Sequence, residues 1–205
     1  MWDKAYSHLL KDPILKQILT KDQKFEFKVS KNLYEAIVGN IIGQQLSSKP
    51  AEIIEARFRN LFSKNSFPTP EQVLKMPDVK LRECGISWAK VKYIKNLSWA
   101  VADQTLEIEE LKSLADEKVV DSLIKIKGIG RWTAEMILIF HLARVDVFSI
   151  GDLGLRTAVA KLYNLDRNDL KKIEKISRNW KPYRSYASRF LWKYLNSLKS
   201  AKTLS

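Results

Sequence analysis

The chain has 205 residues, 45% of them hydrophobic, and 36 Lys and Arg against 23 Asp and Glu, a formal net charge of +13. That apolar content excludes a disordered tail. A membrane span needs about 20 consecutive apolar residues, whereas the greasiest run here, Met136 to Phe140, is bracketed by Glu135 and His141.

The length suits one large domain or two small lobes with a proper core. The opening Met1-Trp2-Asp3-Lys4 lacks the apolar stretch and cleavage pattern of a signal peptide, and the single cysteine, Cys84, forms no internal disulfide. An intracellular protein with no membrane attachment is expected. One Cys and two His, His8 and His141, are too few soft ligands for a zinc finger or a four-cysteine iron–sulfur cluster.

Along the chain, Phe25, Phe27 and Val29 alternate with Glu26 and Lys28, which predicts a short extended arm. Leu33, Ile37 and Ile41 then share one helical face, and Gly43-Gln44-Gln45-Leu46-Ser47 breaks the pattern. Ser48, with Pro50 just after it, opens a helix running to about Phe62 through Ile54, Phe58 and Leu61. Ser63 to Pro70 is the plainest loop, and Thr69-Pro70-Glu71 opens another helix. A helix from about Ser87 to Asp103 carries Trp88 and Trp99, expected in the core. Cys84 is expected to be a semi-buried apolar residue. A short amphipathic helix follows, then Lys127-Gly128-Ile129-Gly130-Arg131-Trp132-Thr133, then a helix with Ala134, Ile137, Leu138 and His141 on its apolar face. The last helix shows Ala187, Leu191, Tyr194, Leu195 and Leu198 at the same period. The chain therefore reads as all-α, without internal repeat or linker.

Charge concentrates at the C-terminal end. From Arg156 to Ser205 there are 13 Lys and Arg and 3 Asp and Glu, a surplus of 13 − 3 = +10. Trp180, Tyr183, Tyr186, Phe190, Trp192 and Tyr194 are interleaved with it, a mixture that suits phosphate neutralisation beside aromatic stacking.

Two segments carry the chemistry. The Gly128-Ile129-Gly130 turn between helices lets the main chain approach a ligand closely, and the amides of the following helix start attract an anion. A plain structural turn has the same residues. In Asp146-Val-Phe-Ser-Ile-Gly151-Asp152-Leu153-Gly154-Leu155-Arg156, Asp152 stands at a helix start, where Asp is among the best caps. An anion held there also stabilises a developing cation. Arg156, one turn on, is placed to pair with that carboxylate or with a phosphate.

Taken together, the Ile42–Ser47 break, the hairpin, the Gly151–Arg156 segment and Trp180-Lys181-Pro182-Tyr183-Arg184-Ser185 resemble the helix-hairpin-helix DNA glycosylase superfamily, in its 3-methyladenine DNA glycosylase II branch. The resemblance implies two helical lobes with DNA bound in the cleft between them. One lobe would be residues 29–145, containing the hairpin, and the other residues 1–28 with 146–205. The compact form, without the extra N-terminal β-domain of larger members, is expected.

The resemblance also assigns roles. Asp152, 20 residues beyond Trp132, maps to the catalytic aspartate. Strand-cutting relatives place a lysine nucleophile where Trp132 stands, so the implied enzyme hydrolyses the N-glycosidic bond without lyase activity. Trp132, then Tyr183, would form the slot for a flipped base, with Met136 and Leu153 where some relatives carry Tyr. DNA contacts would come from Gln45, Leu46 and Ser47, with Gln45 favoured over Leu46 as the wedge in the emptied stack. Further contacts would come from Lys127, Gly128, Ile129, Gly130, Arg131 and Thr133. Family members often carry a monovalent cation on hairpin carbonyls, here Ile124, Ile126 and Ile129. The implied substrate is damaged duplex DNA with an alkylated purine such as 3-methyladenine or 7-methylguanine, acted on by a monomer. The alternatives are a glycosylase for ethenoadenine, oxidised or deaminated bases, and a non-catalytic DNA-binding module.

Overall fold

In a computed structural model, which describes residues 1–62 and 66–203, the described residues form eleven α-helices and no strand. In chain order these are α1 Trp2–Leu9, α2 Leu33–Gly43, α3 Ser48–Asn60, α4 Pro70–Lys75, α5 Asp78–Glu83, α6 Trp88–Ala102, α7 Asp116–Ile124, α8 Arg131–Phe140, α9 Leu153–Tyr163, α10 Leu170–Arg178 and α11 Arg184–Thr203. Residues 63–65 of the expected loop lie outside the described residues; Ser66–Thr69 is non-helical. The chain divides into two compact units, Val29–Leu142 and Met1–Lys28 with Ala143–Ser205. The expected division had its second boundary at 145 rather than 142.

In the continuous unit, α2 packs on α3, α6 and α8. It is apolar on most sides, burying Leu33, Tyr34, Ile37, Val38, Ile41 and Ile42. Buried Phe58, Ile94, Leu97, Ala134 and Ile137 come from those three neighbours. Helix starts follow local chemistry. Thr69 Oγ1 accepts the Gln72 amide while Gln72 Oε1 accepts the Thr69 amide, a reciprocal box with Pro70 in the first turn. Cys84 is buried as expected, its thiol donating to the Lys80 carbonyl, and burial pushes its pKa up. The tryptophans of α6 do not go inside. Val91, Ile94, Leu97 and Ser98 form its buried face, which leaves Trp88 52% and Trp99 57% exposed on the others.

The discontinuous unit is built on α11, packed against α9 and the 3-10 turn Leu15–Ile18, with α10 on α9. Its core joins Ala5, Leu9 and Leu15 to Leu155, Val159, Ile173, Trp180, Phe190 and Leu191. Asp12 organises the polar side of this core. Its carboxylate accepts from the Leu15 and Ile14 amides at 2.9 and 3.0 Å, from Tyr163 Oη at 2.6 Å and from Trp180 Nε1 at 2.9 Å. The extended arm keeps its alternation, with Phe25 and Phe27 turned inward. Phe25 meets Phe190 at 4.9 Å between ring centroids, and Phe27 meets Tyr186 at 4.5 Å. Val29, by contrast, is exposed.

The C-terminal aromatics require a correction. Trp180, Tyr186 and Phe190 are buried, so they bind the unit together rather than offering surface for stacking. Arg184 is likewise committed within the unit, clamping Asp146 through Nε–Oδ1 at 2.7 Å and Nη2–Oδ2 at 3.0 Å.

Candidate functional site

The hairpin turn occupies Lys125–Gly130 between α7 and α8. Gly128 has φ +107°, and a Cβ there would meet Tyr93 Cγ at 2.1 Å, so both conformation and space demand glycine. At Gly130 a Cβ would meet nothing within 4 Å. This exposed residue is the N-cap of α8, whose first-turn amides have no intrahelical acceptor. A peptide oxygen or phosphate approaching this end meets aligned donors and the positive end of the helix dipole.

The break after α2 is tied to that turn. Gln44 Nε2 donates to the Gly128 carbonyl at 3.1 Å and to Thr133 Oγ1 at 3.3 Å. Lys90 Nζ donates to the Ile42 and Gln44 carbonyls at 2.8 and 2.6 Å, closing the C-terminal end of α2; burial lowers its pKa. Held from both sides, Gln45 takes a left-handed conformation at φ +59° and stands exposed with Leu46 and Ser47. Gln44, Gln45, Lys90, Tyr93, Gly128 and Gly130 line one cavity of about 490 Å³.

The remaining hairpin residues divide by exposure. Lys127 is exposed, whereas Ile129 and Thr133 are buried, leaving Thr133 its first-turn amide rather than its hydroxyl for a ligand. Arg131, expected on DNA, is engaged by Glu117 at 2.8 Å and Glu135 at 3.1 Å. Trp132 is 42% exposed. Met136, one turn on, is buried, so it supports α8 from inside. Ile126 is buried and Ile124 exposed.

Asp152, in the discontinuous unit, caps α9. Its Oδ1 accepts the Leu155 amide at 2.6 Å and Trp192 Nε1 at 3.1 Å. A carboxylate fixed at a helix N-terminus stabilises positive charge developing beside it. Leu153 is exposed next to it. Arg156 Nε is buried with no hydrogen-bond partner among the described residues, so the expected pairing with Asp152 is not made through it. Tyr183 is half-buried, its ring edge-on to His8 and to Tyr186.

Sequence reading missed Gln44, Lys90, Tyr93 and Trp192. Gln44 had a signal, lying inside the break already singled out. The other three act across long sequence separations and carry no local mark.

The model of the HhH-GPD superfamily of base excision DNA repair proteins matches residues 38–182. DNA-3-methyladenine glycosylase 1 of Schizosaccharomyces pombe is 37% identical over 165 residues, which is 80% of this chain and 72% of that protein. YfjP of Bacillus subtilis is 34% identical over 168 residues, 79% of this chain, and the chain spans 58% of YfjP's length. Among solved structures, Schizosaccharomyces pombe 3-methyladenine DNA glycosylase (Mag1) in complex with abasic DNA superposes with a TM-score of 0.82 at 33% identity, covering 93% of this chain and 95% of that one.

Proposed function

Because this chain belongs to the HhH-GPD superfamily of base excision DNA repair proteins, we propose that it is a monofunctional DNA glycosylase that removes alkylated purines from duplex DNA. The observation that carries this reading is Asp152, a carboxylate pinned at a helix start by Leu155 and Trp192. The similar proteins named DNA-3-methyladenine glycosylase support the lesion class.

The chemistry needs few polar groups. A purine alkylated at a ring nitrogen is cationic and leaves readily, so no strong general acid is required. The C1′–N bond breaks with its electron pair going to the base, and water adds to C1′, leaving an abasic site. Asp152 stabilises the oxocarbenium-like sugar and orients or deprotonates the water. Trp132 stacks on the flipped base, a cation–π contact worth roughly 0.5–2 kcal/mol, with Leu153 and Tyr183 proposed as further walls. The amides of Gly128, Gly130 and the first turn of α8 hold a backbone phosphate, joined by Lys127. Gln45 fills the emptied stack, with Leu46 beside it. With tryptophan at position 132, no lysine is offered there for a Schiff base, and strand cleavage is not expected.

The hairpin carbonyls of Ile124, Ile126 and Ile129, oxygen donors of the kind Na⁺ and K⁺ take, would hold such an ion. The Ile126 carbonyl already accepts the Ile129 amide at 3.0 Å and keeps a second lone pair. A cation there would add positive charge behind the phosphate site.

The test is base release from methylated duplex DNA, with the freed purines separated by chromatography. Release of 3-methyladenine or 7-methylguanine by wild type, abolished in Asp152→Asn, is the expected result. Release of neither base by wild type, or equal release by the mutant, overturns it. Borohydride-trapped protein–DNA complexes would overturn the monofunctional assignment.

A further inference from the structure

A cavity of about 570 Å³ opens in the continuous unit between α2, α8 and His141, within the size range of ligand pockets. Trp132 lies on its wall. On α2 the lining residues Ala36, Gly39, Asn40 and Gly43 recur at the helical period. Three of them are nearly side-chain-free, which makes the space, and the fourth is an amide.

The hydrogen bonds of Asn40 fix which way that amide faces. Its Nδ2 donates to the Ala36 carbonyl at 2.9 Å and to His141 Nε2 at 2.7 Å. A carbonyl only accepts, so the nitrogen cannot be exchanged with the oxygen. His141 Nε2 therefore accepts, its proton sits on Nδ1, and that N–H donates to Ser30 Oγ at 2.9 Å. Burial holds the imidazole below its ordinary pKa, against the pull of Glu55, consistent with this neutral form. Both Nδ2 hydrogens are used, and Oδ1 of Asn40 remains an acceptor with no donor among the described residues.

We propose that Asn40 is a specificity-determining residue of the base site: its Oδ1 accepts a hydrogen bond from the amino group of a flipped purine while Trp132 stacks on the ring. The inference rests on the glycosylase reading and narrows its substrate class to purines that keep an amino group. Deaminated purines present a carbonyl oxygen to the same acceptor, leaving two lone pairs opposed and desolvated. Glu35 and Glu55 both contact Arg59, at 2.5 and 2.7 Å. The charged side chains at the wall balance, Lys31 and Arg59 against Glu35 and Glu55, so discrimination falls to the amide. His141 is a positioning residue, acting through the orientation it imposes on Asn40.

The experiment compares single-turnover release of 3-methyladenine and of hypoxanthine from otherwise identical duplexes, for wild type and Asn40→Leu. Affinity for an abasic-site duplex, which depends on phosphate contacts, verifies that each protein is folded. Wild type is expected to prefer 3-methyladenine, in part because the cationic base leaves more readily, and Asn40→Leu to lower that ratio by about tenfold at unchanged abasic-DNA affinity, since leaving ability is the same for both proteins. His141→Phe, which keeps a ring but removes the acceptor, is expected to move the same ratio. An unchanged ratio in Asn40→Leu overturns the proposal. If wild type releases neither base, the glycosylase reading fails and equilibrium dialysis of free 3-methyladenine against the enzyme–abasic-DNA complex decides this one. Retention by wild type and loss in Asn40→Leu supports it; equal retention or none overturns it.

Discussion

Trp192 Nε1 donates to Asp152 Oδ1, the same oxygen that accepts the Leu155 amide. One bond is local, from a residue three positions on, and the other arrives from α11, 40 residues away. Two donors from different elements fix the carboxylate plane more firmly than a cap alone.

That arrangement separates folding from chemistry at position 152. Asn caps a helix about as well as Asp and its Oδ1 accepts from the same two donors. Asp152→Asn is therefore expected to keep its melting temperature and its affinity for abasic-site DNA, while base release falls about 100-fold or more because the charge is gone. Trp192→Phe removes one donor and leaves the charge, and a fall of about tenfold in single-turnover release is expected. Unchanged release in Trp192→Phe would show that the cap alone positions the carboxylate.

The hairpin glycines make opposite predictions for the same substitution. Gly128→Ala forces a side chain into positive φ and onto Tyr93, a Cβ contact of 2.1 Å, and is expected to destabilise the protein by about 1–3 kcal/mol. Gly130→Ala meets nothing within 4 Å and should melt within about 0.5 kcal/mol of wild type. It is expected to weaken abasic-DNA binding nonetheless, since the methyl would stand where the proposed phosphate approaches. Thermal melts beside fluorescence-anisotropy titrations separate the two effects; intact DNA binding in Gly130→Ala would move the phosphate contact off this end of α8.

Features set by neighbouring residues were legible in the sequence. The helix start at Thr69, the capping role of Asp152 and the glycine turn at 128–130 depend on contacts that are local or on backbone conformation. Helical period also identified the apolar stripes of α2, α8 and α11. It did not say which side aromatic residues take when a helix has more than one apolar stripe, so Trp88 and Trp99, expected inside, are exposed, while Trp180, Tyr186 and Phe190, expected to offer a stacking surface, are buried. The contacts of Lys90 and Trp192 remained invisible for a different reason. A lysine that closes another helix, or an indole that reaches a carboxylate 40 residues back, differs from any surface lysine or core tryptophan only through the fold.

Asp12 should make stability depend on acid pH. Burial pushes its carboxyl up, but the Leu15 and Ile14 amides, Tyr163 and Trp180 outweigh that and hold it below the ordinary value. A group whose pKa is lower folded than unfolded stabilises the native state above its unfolded pKa of about 3.9 and loses that contribution as pH falls through the folded value. Asp12→Asn is expected to be about 1 kcal/mol less stable at pH 7. The gap between wild type and mutant should narrow below about pH 4. Urea unfolding of both proteins at several pH values measures it, and a gap that stays constant down to pH 3 would mean that the charge of Asp12 contributes nothing.

In the proposed reading, the break after α2 supplies what replaces a flipped base. Gln45 is held at φ +59° between the Lys90 clamp and the Gln44 bonds to the hairpin, a backbone conformation that costs a non-glycine residue on the order of 1 kcal/mol. Such a cost at an exposed tip is consistent with a position held for its side chain rather than for the fold. A glutamine amide there would pair with the orphaned partner base, whereas Leu46 would plug the gap without pairing. Gln45→Ala is therefore expected to reduce single-turnover base release about tenfold or more, with a smaller loss in Leu46→Ala and little change in stability for either. Lys90→Met, which frees the Ile42 and Gln44 carbonyls, should reproduce the Gln45→Ala defect while leaving the glutamine in place. A larger loss in Leu46→Ala than in Gln45→Ala would reassign the wedge, and full activity in Lys90→Met would show that the clamp is dispensable to it.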